Sequence, residues 1–283
     1  MTECDLDNCR PLTAVEFSRI RRLAYDTFGL DLRRGKESLV TARLAKIIRE
    51  SGCRSFDEYC QKVQADTSGG DMVRLIDALT TNHTSFFRES DHFDYLRTAI
   101  LPVVQDRFLE VWSAACSSGE EPYTLAMVLL EAMGPRAAQR VRILATDIST
   151  RVLAQARKAV YPAERFEGMP AALLRKYWLR GERDWEGWYR AKKDLRSMVE
   201  FRRLNLVEQH APVGMFPVIF CRNVMIYFDR PTQQKVVNQL VRCLEPGGHL
   251  FIGHAETLNG VSHSLRYVQP ACFRNVALAE VRK

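Results

Sequence analysis

The segment LEVWSAACSSGEEPYTLAMVLLEAMG, residues 109–134, contains the pattern that decides the fold. The short apolar run LEVWSAAC ends in small residues, and SSGEEPYTLAMVLLEAMG then has the periodicity of an amphipathic helix that stops at Gly134-Pro135. The same order recurs in VRILATDIS with TRVLAQARKAVY, and in PVIFCRNVMIYF with PTQQKVVNQLVRCLEPGG; MVEFRRLNL and HLFIGHAE are further strands. Strands that alternate with helices of this length predict right-handed βαβ crossovers. We therefore expect a doubly wound α/β fold with a mainly parallel sheet.

A region of different character precedes this pattern. Residues 11–79 carry apolar side chains at helical spacing, as in Val40, Leu44, Ile47 and Ile48 of one predicted helix. We expect a helical domain over residues 1–76, a linker over 77–93 and the α/β domain over 94–283.

The alternation of strands and helices is interrupted once in the α/β region. The stretch WLRGERDWEGWYRAKKDLRSMVEF, residues 178–201, has three Trp, one Tyr and two Gly among charged residues. This composition favours a small hairpin insertion, and we expect a β-subdomain at about residues 163–198. Its rings either seal the insertion onto the domain or form a docking surface.

The composition argues against several classes of protein. No apolar run reaches the roughly 20 residues that a membrane span needs, and the N-terminus lacks the pattern of a signal peptide. We expect a cytoplasmic protein without membrane insertion. The eight cysteines form no CxxC pair and share no ligand spacing with the six histidines, so we expect reduced thiols and no metal.

The net charge of +7 is concentrated near the N-terminus, where residues 10–54 contain eleven basic and five acidic residues. Arg43, Lys46 and Arg49 recur at every third position beside the apolar stripe of one predicted helix, which gives that helix a cationic flank. Such a flank is either a merely soluble surface or the face for an acidic partner. Nucleic acid, anionic lipid and a carboxylate-rich protein helix are the candidate partners.

In open α/β sheets a ligand lies beyond the carboxyl ends of the strands. After the first predicted strand, Gly119 lets backbone approach a ligand, and Glu120 and Glu121 either favour the helix dipole or hold a cationic group. Asp147 ends the second strand, where a nucleotide-type ligand presents ribose hydroxyls, and Ser149 is the better helix cap. The fingerprint GxGxxG is absent, which argues against NAD or FAD. A ribose-bearing ligand with a positive centre fits better, and S-adenosylmethionine has that description.

Later strand ends add polar groups to the same edge. Asn205 can bond an adenine edge, and Arg222 and Asn223 interrupt an apolar strand end ahead of Tyr227. The Asn/Asp-Pro-Pro-aromatic turn with which nucleic-acid methyltransferases hold an amine is absent. A further polar run, TTNHTSFFRES at residues 80–90, surrounds two Phe and is either the lining of a site or an elaborate helix start.

Taken together, the segments TTNHTSFFRE, VWSAACSSGEEPYTLAM, ILATDIS, IFCRNVMIYF and PGGHLFIGHAE resemble the chemotaxis receptor methyltransferases of the CheR family. The resemblance covers nearly the whole chain. It implies an S-adenosylmethionine-dependent α/β methyltransferase domain with a small β-subdomain, preceded by the helical domain. It also implies methyl esterification of glutamate side chains on the cytoplasmic helices of chemoreceptors, with S-adenosylhomocysteine as the product.

The resemblance also implies roles for individual residues. Arg88 is expected beside the charged end of the cofactor and the substrate carboxylate, and Tyr227 near the transferred methyl group. One of Glu120 and Glu121, by spacing Glu121, is expected to be the acidic cofactor contact. The other positions matched to cofactor contacts are Asn82, Thr84, Asp147, Asn205, Leu206, Cys221 and Arg222. Where the family often has Gly-His-Ser-Glu, this chain has Gly253, His254, Ala255 and Glu256.

The implied chemistry agrees with these residue types. A sulfonium is an activated electrophile and a glutamate carboxylate is ionised at neutral pH, so no general base is required. Orientation of the carboxylate by Arg88 and shaping of the methyl path by Tyr227 would suffice.

The expected partner is the cytoplasmic domain of a chemoreceptor. We expect the flank of Arg43, Lys46 and Arg49 to meet its acidic methylation helices, in a monomeric enzyme that binds no nucleic acid. Some members of the family hold a receptor C-terminal peptide on the β-subdomain, which the Trp-rich insertion would allow here. Two alternatives remain open: a methyltransferase for another substrate on the same fold, and an S-adenosylmethionine-binding signalling adaptor that transfers no methyl group.

Overall fold

The computed structural model of the chain describes residues 12–80, 82–104, 107–208 and 214–276. It divides the chain into two units, one of Met1–Thr81 with Tyr227–Asp229 and the other of Asn82–Ile226 with Arg230–Lys283. Cys4 and Cys9, two of the eight cysteines of the sequence, lie outside the described residues.

The first unit is helical. Its helices are α1 (Ala14–Phe28), α2 (Glu37–Glu50), α3 (Phe56–Ala65) and α4 (Gly70–Leu79). A capping box starts α1, because the Glu16 N–H donates to the Thr13 hydroxyl while the Thr13 N–H donates to the Glu16 carboxylate. Three residues of the predicted apolar stripe of α2, Val40, Leu44 and Ile48, are buried, whereas Ile47 is half-buried.

The strands belong to the second unit. They are β1 (Leu109–Ala114), β2 (Val141–Asp147), β3 (Val160–Pro162), β4 (Trp178–Arg180), β5 (Trp188–Ala191), β6 (Val199–Arg203), β7 (Phe216–Phe220), β8 (Leu244–Phe251), β9 (Leu265–Gln269) and β10 (Cys272–Asn275). Its helices are α5 (Asp91–Tyr95), α6 (Leu101–Val104), α7 (Glu120–Met133), α8 (Ala137–Arg140), α9 (Thr150–Lys158), α10 (Ala171–Tyr177), α11 (Lys193–Met198) and α12 (Arg230–Cys243).

Seven of the described strands form one sheet in the order β6-β2-β1-β7-β8-β10-β9. The first five of these are parallel, with Leu109 opposite Val141 and Val111 opposite Val218. The prediction of a doubly wound, mainly parallel sheet is confirmed. The antiparallel hairpin of β9 and β10, which extends the sheet beyond β8, was not predicted.

Helix α7 differs from the prediction. It is buried on every side from Pro122 to Leu130, so it is not amphipathic. The reason is that β2 and β6, α11 and the π-helical turn Leu96–Ile100 all contact it. Helix α7 therefore has buried side chains all round, and not on one face as its sequence predicts.

A second, antiparallel sheet of three strands has the order β3-β5-β4. Helix α9 ends at Lys158 because Ala159 adopts a left-handed conformation with φ of 54°, and the chain enters β3 at Val160. The small sheet therefore begins at Val160, whereas the sequence predicts a start at about residue 163. Trp178 is buried against the domain, whereas Trp185 and Trp188 are exposed by 59% and 40%.

The six described cysteines are free thiols, and all except Cys53 are buried. Burial raises the pKa of Cys116 and of Cys221 well above the ordinary thiol value. None of the helices in the described part of the chain combines the length and apolarity that a bilayer span requires.

Candidate active site

The carboxyl ends of β1 and β7 form the centre of the candidate site. From β1 the chain winds outward to β2 and β6, and it later returns to β7 and β8 on the other side of β1. Where the connections that follow two neighbouring parallel strands run to opposite sides of the sheet, they form the switch point at which α/β proteins bind ligands. Residues 82–90, which we call the strap, contact the loops that follow both strands: Ser117 Oγ donates to the Asn82 carbonyl at 3.3 Å, and Arg222 contacts Glu89.

Asp147 joins two loops at the carboxyl edge. Its Oδ2 accepts a hydrogen bond from the Ser117 N–H at 2.9 Å, and its Oδ1 accepts one from the Ser149 N–H at 2.9 Å. Ser149 in turn caps α9, since its hydroxyl accepts from the Val152 N–H, as predicted. A carboxylate has about four acceptor positions, so Asp147 can also bind hydroxyl groups of a ligand.

Glu120 and Glu121 are adjacent in sequence but face different surroundings. Glu121 accepts from Ser113 Oγ at 2.7 Å and forms an ion pair of 3.2 Å with Arg222. Glu120 is fully buried and accepts from Ser118 Oγ at 2.7 Å. Burial raises the pKa of both carboxyls, against the opposing influence of their polar partners.

Arg222 connects the end of β7 to the strap. Its Nη2 and Nε donate to Glu89 at 2.9 and 3.2 Å, Nη2 also donates to the Arg88 carbonyl, and Nη1 donates to Glu121. The guanidinium lies over the rings of Phe93 and Phe220, and the side chain is only 2% exposed. Burial alone would raise the pKa of Glu89, but the charge of Arg222 and the hydrogen bonds from Arg222 and Asn223 outweigh it and lower that pKa. Arg222 therefore holds the strap in place.

Glu256 is a site residue to which the sequence assigned no role. Its carboxylate accepts hydrogen bonds from the backbone N–H groups of Asn223, Met225, Ile226 and Gly253, at 2.6 to 3.3 Å. It thus fixes the loop after β7 to the loop after β8. In the sequence Glu256 stands at the end of the run HLFIGHAE, where nothing distinguishes it from the other acidic residues.

Arg88 contrasts with Arg222. Its Nη1 donates to the His83 carbonyl at 3.0 Å, and within the described residues the guanidinium forms no other hydrogen bond and no ion pair. The side chain is half-buried on the strap. Because a guanidinium carries five N–H donors, most of those of Arg88 are available to a ligand.

Backbone strain is concentrated around these residues. Phe87 and Glu89 in the strap, Ala115 and Ser117 after β1, and Asn223 after β7 all have φ between 49° and 85°. Such conformations are unfavourable for residues other than glycine and persist where the surroundings enforce them, often at functional sites.

Three of the predicted cofactor contacts lie in the segments that follow β6 and β7. The Asn205 amide donates to Glu208 at 3.0 Å, and its oxygen accepts from the Val207 N–H at 3.2 Å, so the side chain also shapes its own turn. Leu206 is buried in that turn. Cys221 is fully buried, and its N–H donates to the Phe251 carbonyl between the ends of β7 and β8.

The structure gives Gly119 a different purpose from the predicted approach of backbone to a ligand. A Cβ at this position would lie 2.7 Å from Tyr161 Oη and 2.8 Å from Ala156 Cβ. Gly119 is thus required for packing against α9 and β3. The φ of 100° at Gly119 also favours glycine.

Glu89, His92 and His254 are a group of potential metal ligands, with ligand atoms that all lie within 4.8 Å of one another. Glu89 already pairs with Arg222, and His254 Nε2 lies 3.1 Å from Asp91 Oδ2. The guanidinium thus places a positive charge where a cation would bind.

Comparisons with known proteins agree with this geometry. Residues 82–272 match the family described as "CheR methyltransferase, SAM binding domain", and residues 15–80 match "CheR methyltransferase, all-alpha domain". A chemotaxis protein methyltransferase of Borreliella burgdorferi is 40% identical over 272 residues, which are 93% of this chain and 95% of that protein. Chemotaxis protein methyltransferase 2 of Pseudomonas aeruginosa is 43% identical over 90% of this chain and 91% of its own length. The Escherichia coli chemotaxis protein methyltransferase is 38% identical over 88% and 86%.

The chain belongs to the CheR methyltransferase family. The family resemblance inferred from the sequence motifs is therefore confirmed, together with an S-adenosylmethionine-binding methyltransferase domain. The strap begins where the match to the cofactor-binding domain begins, at Asn82.

Four of the predicted site residues of this CheR-family chain lie in the helical first unit. Lys46 and Arg49 are exposed on α2, whereas Arg43 is half-buried and donates to the Leu79 carbonyl, so the three do not form a uniform flank. Tyr227 belongs to the first unit, where its carbonyl accepts from the Asp31 N–H. Its role near the methyl group stays a prediction.

His92 gives the CheR-family domain an acid sensitivity that can be measured. Both ring nitrogens are buried and accept or donate no hydrogen bond among the described residues, and burial, with the charge of Arg222, lowers the pKa of His92 to about 4. Between the ordinary pKa of about 6.5 and this value, the unfolded chain binds a proton that the native state does not, so stability falls as pH falls. We predict that His92→Phe loses less stability than wild type from pH 6.5 to 4, by on the order of 3 kcal/mol.

Urea unfolding at a series of pH values measures this difference. His263→Phe is the matched control, because His263 is exposed and its replacement should leave the wild-type pH dependence unchanged. Equal pH dependence in His92→Phe and wild type would contradict the prediction.

Proposed function

We propose that this protein transfers a methyl group from S-adenosylmethionine to glutamate carboxylates on the cytoplasmic helices of a chemoreceptor, forming methyl esters. The observation that carries the proposal is the contrast between the two arginines of the site. Arg222 is occupied by Glu89, Glu121 and a backbone carbonyl, whereas most donors of Arg88 are available. An arginine with available donors at the ligand-binding edge of the sheet is suited to bind a carboxylate in a bidentate manner.

The residues present also fit the cofactor. Glu120 Oε1 is buried and lies 3.4 Å from Arg165 Nη1, but it accepts no hydrogen bond from the described residues, so it retains acceptor capacity for an N–H group of the cofactor. Asp147 would bind the ribose hydroxyls, as the second strand end does in related α/β sites. The remaining proposed contacts are Asn82, Thr84, Arg88, Glu121, Asn205, Leu206, Cys221 and Arg222. When bound, S-adenosylmethionine supplies a methyl group that its sulfonium has already activated.

The protein's contribution to the reaction is alignment. Arg88 binds the substrate glutamate and orients one carboxylate oxygen, which is ionised at neutral pH and needs no base. Arg222 and Glu256 hold the strap and the loops after β7 and β8 in place, and we propose that Tyr227 shapes the path of the methyl group. Holding two reactants in line can contribute several kcal/mol to the rate.

The proposed receptor surface is on the helical unit. Lys46 and Arg49 are exposed on α2, and the relatives of this chain are named for chemotaxis, so we propose that these charges meet the carboxylate-bearing helices of the receptor. Arg43 contributes less to this surface because it is half-buried and bonded to the Leu79 carbonyl. We propose accordingly that the helical unit recognises the receptor and that the α/β unit binds the cofactor.

Reversal of charge on α2 tests this surface. The double variant Lys46→Glu/Arg49→Glu should lower kcat/KM for receptor fragments about tenfold at low salt, and less at high salt, because it replaces attraction by repulsion. Its cofactor binding should be unchanged. Lys235→Glu, an exposed lysine on α12, is the control. Unaltered receptor methylation in the double variant would exclude this face.

The small sheet offers a second proposed contact with the receptor. Trp185 and Trp188 are exposed, with ring centroids 6.4 Å apart in an edge-to-face arrangement. Exposed paired rings are uncommon on a surface without a partner. We propose that they hold a peptide from the receptor's C-terminus.

Incubation with methyl-labelled S-adenosylmethionine and receptor cytoplasmic fragments tests the activity as a whole. Base-labile label on receptor glutamates is the expected result, since methyl esters are hydrolysed by base. Cofactor binding without transfer would instead favour a signalling adaptor. Label that is stable to base would point to another substrate chemistry.

A further inference from the structure

Arg165 of the small subdomain reaches the proposed cofactor site. It lies in the 3-10 turn Ala163–Phe166, which follows β3. Its Nη1 donates to the Thr84 carbonyl of the strap at 3.0 Å and lies 3.4 Å from Glu120 Oε1 at the start of α7. One guanidinium therefore contacts two segments that are distant in sequence and that both carry proposed cofactor contacts.

Arg165 is one of several groups that compensate the charge of Glu120. The carboxylate is fully buried, and Ser118 Oγ donates to Oε2, whereas Oε1 accepts no hydrogen bond among the described residues. Burial raises the pKa of Glu120. Ser118, the N–H of Glu120 itself, Arg165 and His83 act in the opposite direction, and Arg165 is the one that forms an ion pair with it in the described structure.

The small sheet is fixed to the same two segments by aromatic contacts. Tyr161 Oη donates to the Ser118 carbonyl at 2.7 Å, just ahead of α7. Phe86 of the strap stacks on Phe166 with ring centroids 4.9 Å apart, and it meets Trp178 edge-on at 5.1 Å. The turn that carries Arg165 is thus held firmly against the strap and the start of α7.

We propose that Arg165 is a positioning residue for cofactor binding: through its contacts with the Thr84 carbonyl and Glu120 Oε1, it holds Glu120 and Thr84 at the spacing that the cofactor requires. The small subdomain is then a structural part of the cofactor site as well as a surface for a peptide. This inference rests on the proposed function, because it assigns Glu120 and Thr84 to the cofactor.

An ion pair on the protein surface would have little effect on the position or the charge of Glu120. Exposed pairs contribute little, because water screens them. Here one partner is fully buried, so loss of the guanidinium leaves a carboxyl that takes up a proton more readily. A protonated Glu120 no longer attracts a cationic group.

Binding of S-adenosylhomocysteine, measured by calorimetry between pH 5 and 8, tests the proposal with the full-length protein. Arg165→Gln should weaken binding about tenfold at pH 7, in keeping with the loss of one charged contact. Its affinity should also begin to fall at a higher pH than that of wild type, because the pKa of Glu120 rises further. Arg165→Lys keeps the charge and should restore most of both properties. Arg175→Gln, an exposed arginine on α10 of the same subdomain, should behave as wild type.

Methyl transfer to receptor fragments separates this inference from the proposed function. In Arg165→Gln we expect a higher KM for S-adenosylmethionine, with kcat at saturation reduced less than twofold. Wild-type affinity and pH dependence in Arg165→Gln, alongside normal transfer by wild type, would overturn the role of Arg165 alone. A failure of Arg165→Lys to recover binding would also overturn it, because charge would then not be the cause. A wild-type protein that binds S-adenosylhomocysteine but esterifies no receptor glutamate would refute the proposed function and leave the binding role of Arg165 intact, whereas one that binds no S-adenosylhomocysteine would overturn both.

Discussion

Replacement of Arg88 by alanine should nearly abolish methyl transfer while the protein remains folded. The guanidinium forms one hydrogen bond among the described residues, to the His83 carbonyl, so its removal costs the native structure little. Its proposed partner is the substrate carboxylate, and loss of a preorganised charged contact in a reaction that depends on alignment lowers the rate by about a hundredfold to a thousandfold. The measurement is kcat/KM for labelled methyl transfer to receptor fragments, with the urea-unfolding midpoint recorded in parallel.

Arg97→Ala is the control for Arg88→Ala. Arg97 lies on the π-helical turn Leu96–Ile100 and forms an exposed ion pair with Asp94, so its loss should change neither the rate nor the fold measurably. Wild-type rates in Arg88→Ala would remove this residue from the catalytic site. They would identify the strap as a helix start without a part in the reaction.

Replacement of Arg222 by methionine should instead destabilise the fold. Arg222 is 2% exposed and neutralises Glu89 and Glu121, which are themselves largely buried. Removal of one partner from a buried ionic network leaves charge without compensation and typically costs about 3–5 kcal/mol. The free energy of unfolding in urea measures this loss at neutral pH.

A triple variant distinguishes charge from packing at Arg222. In Glu89→Gln/Glu121→Gln/Arg222→Met the carboxylates are neutral, and a buried ion network that is replaced as a whole usually costs less than a broken one. The triple variant should therefore be more stable than Arg222→Met alone. The opposite order would show that lost packing and hydrogen bonds outweigh the uncompensated charge. A loss below about 1 kcal/mol in the single variant would show that Arg222 contributes little to stability.

Local chemistry made much of the architecture predictable. The apolar run Leu109–Ala114, followed by small residues and a long helical pattern, predicts a strand of a parallel sheet and the helix after it. The structure confirms both as β1 and α7. Ser149 was identified as the cap of α9 from its residue type and place alone. Both predictions depend on near neighbours in sequence, where strand periodicity and capping preferences act directly.

The features that the sequence did not reveal depend on contacts between distant segments. Glu256 holds the loop after β7 through four backbone N–H groups, yet in sequence it is one acidic residue among many. Gly119 indicated a ligand because small residues near a strand end often do, whereas its neighbours in space are Tyr161 and Ala156. Helix α7 had the apolar spacing of a one-sided helix, and the packing of β2, β6, α11 and the π-helical turn around it explains why it is buried on every side from Pro122 to Leu130.

Two buried cysteines allow opening motions of the sheet edge to be measured in the unmodified protein. Cys116 follows β1 and Cys221 follows β7, so the two thiols lie at the switch point, and burial holds the pKa of each well above the ordinary value. Only an exposed thiolate reacts quickly with an alkylating reagent, so each of these sulfur atoms is protected until its surroundings separate. The alkylation rate of Cys116 and Cys221 therefore reports how often the edge of the sheet opens, and no engineered cysteine is needed.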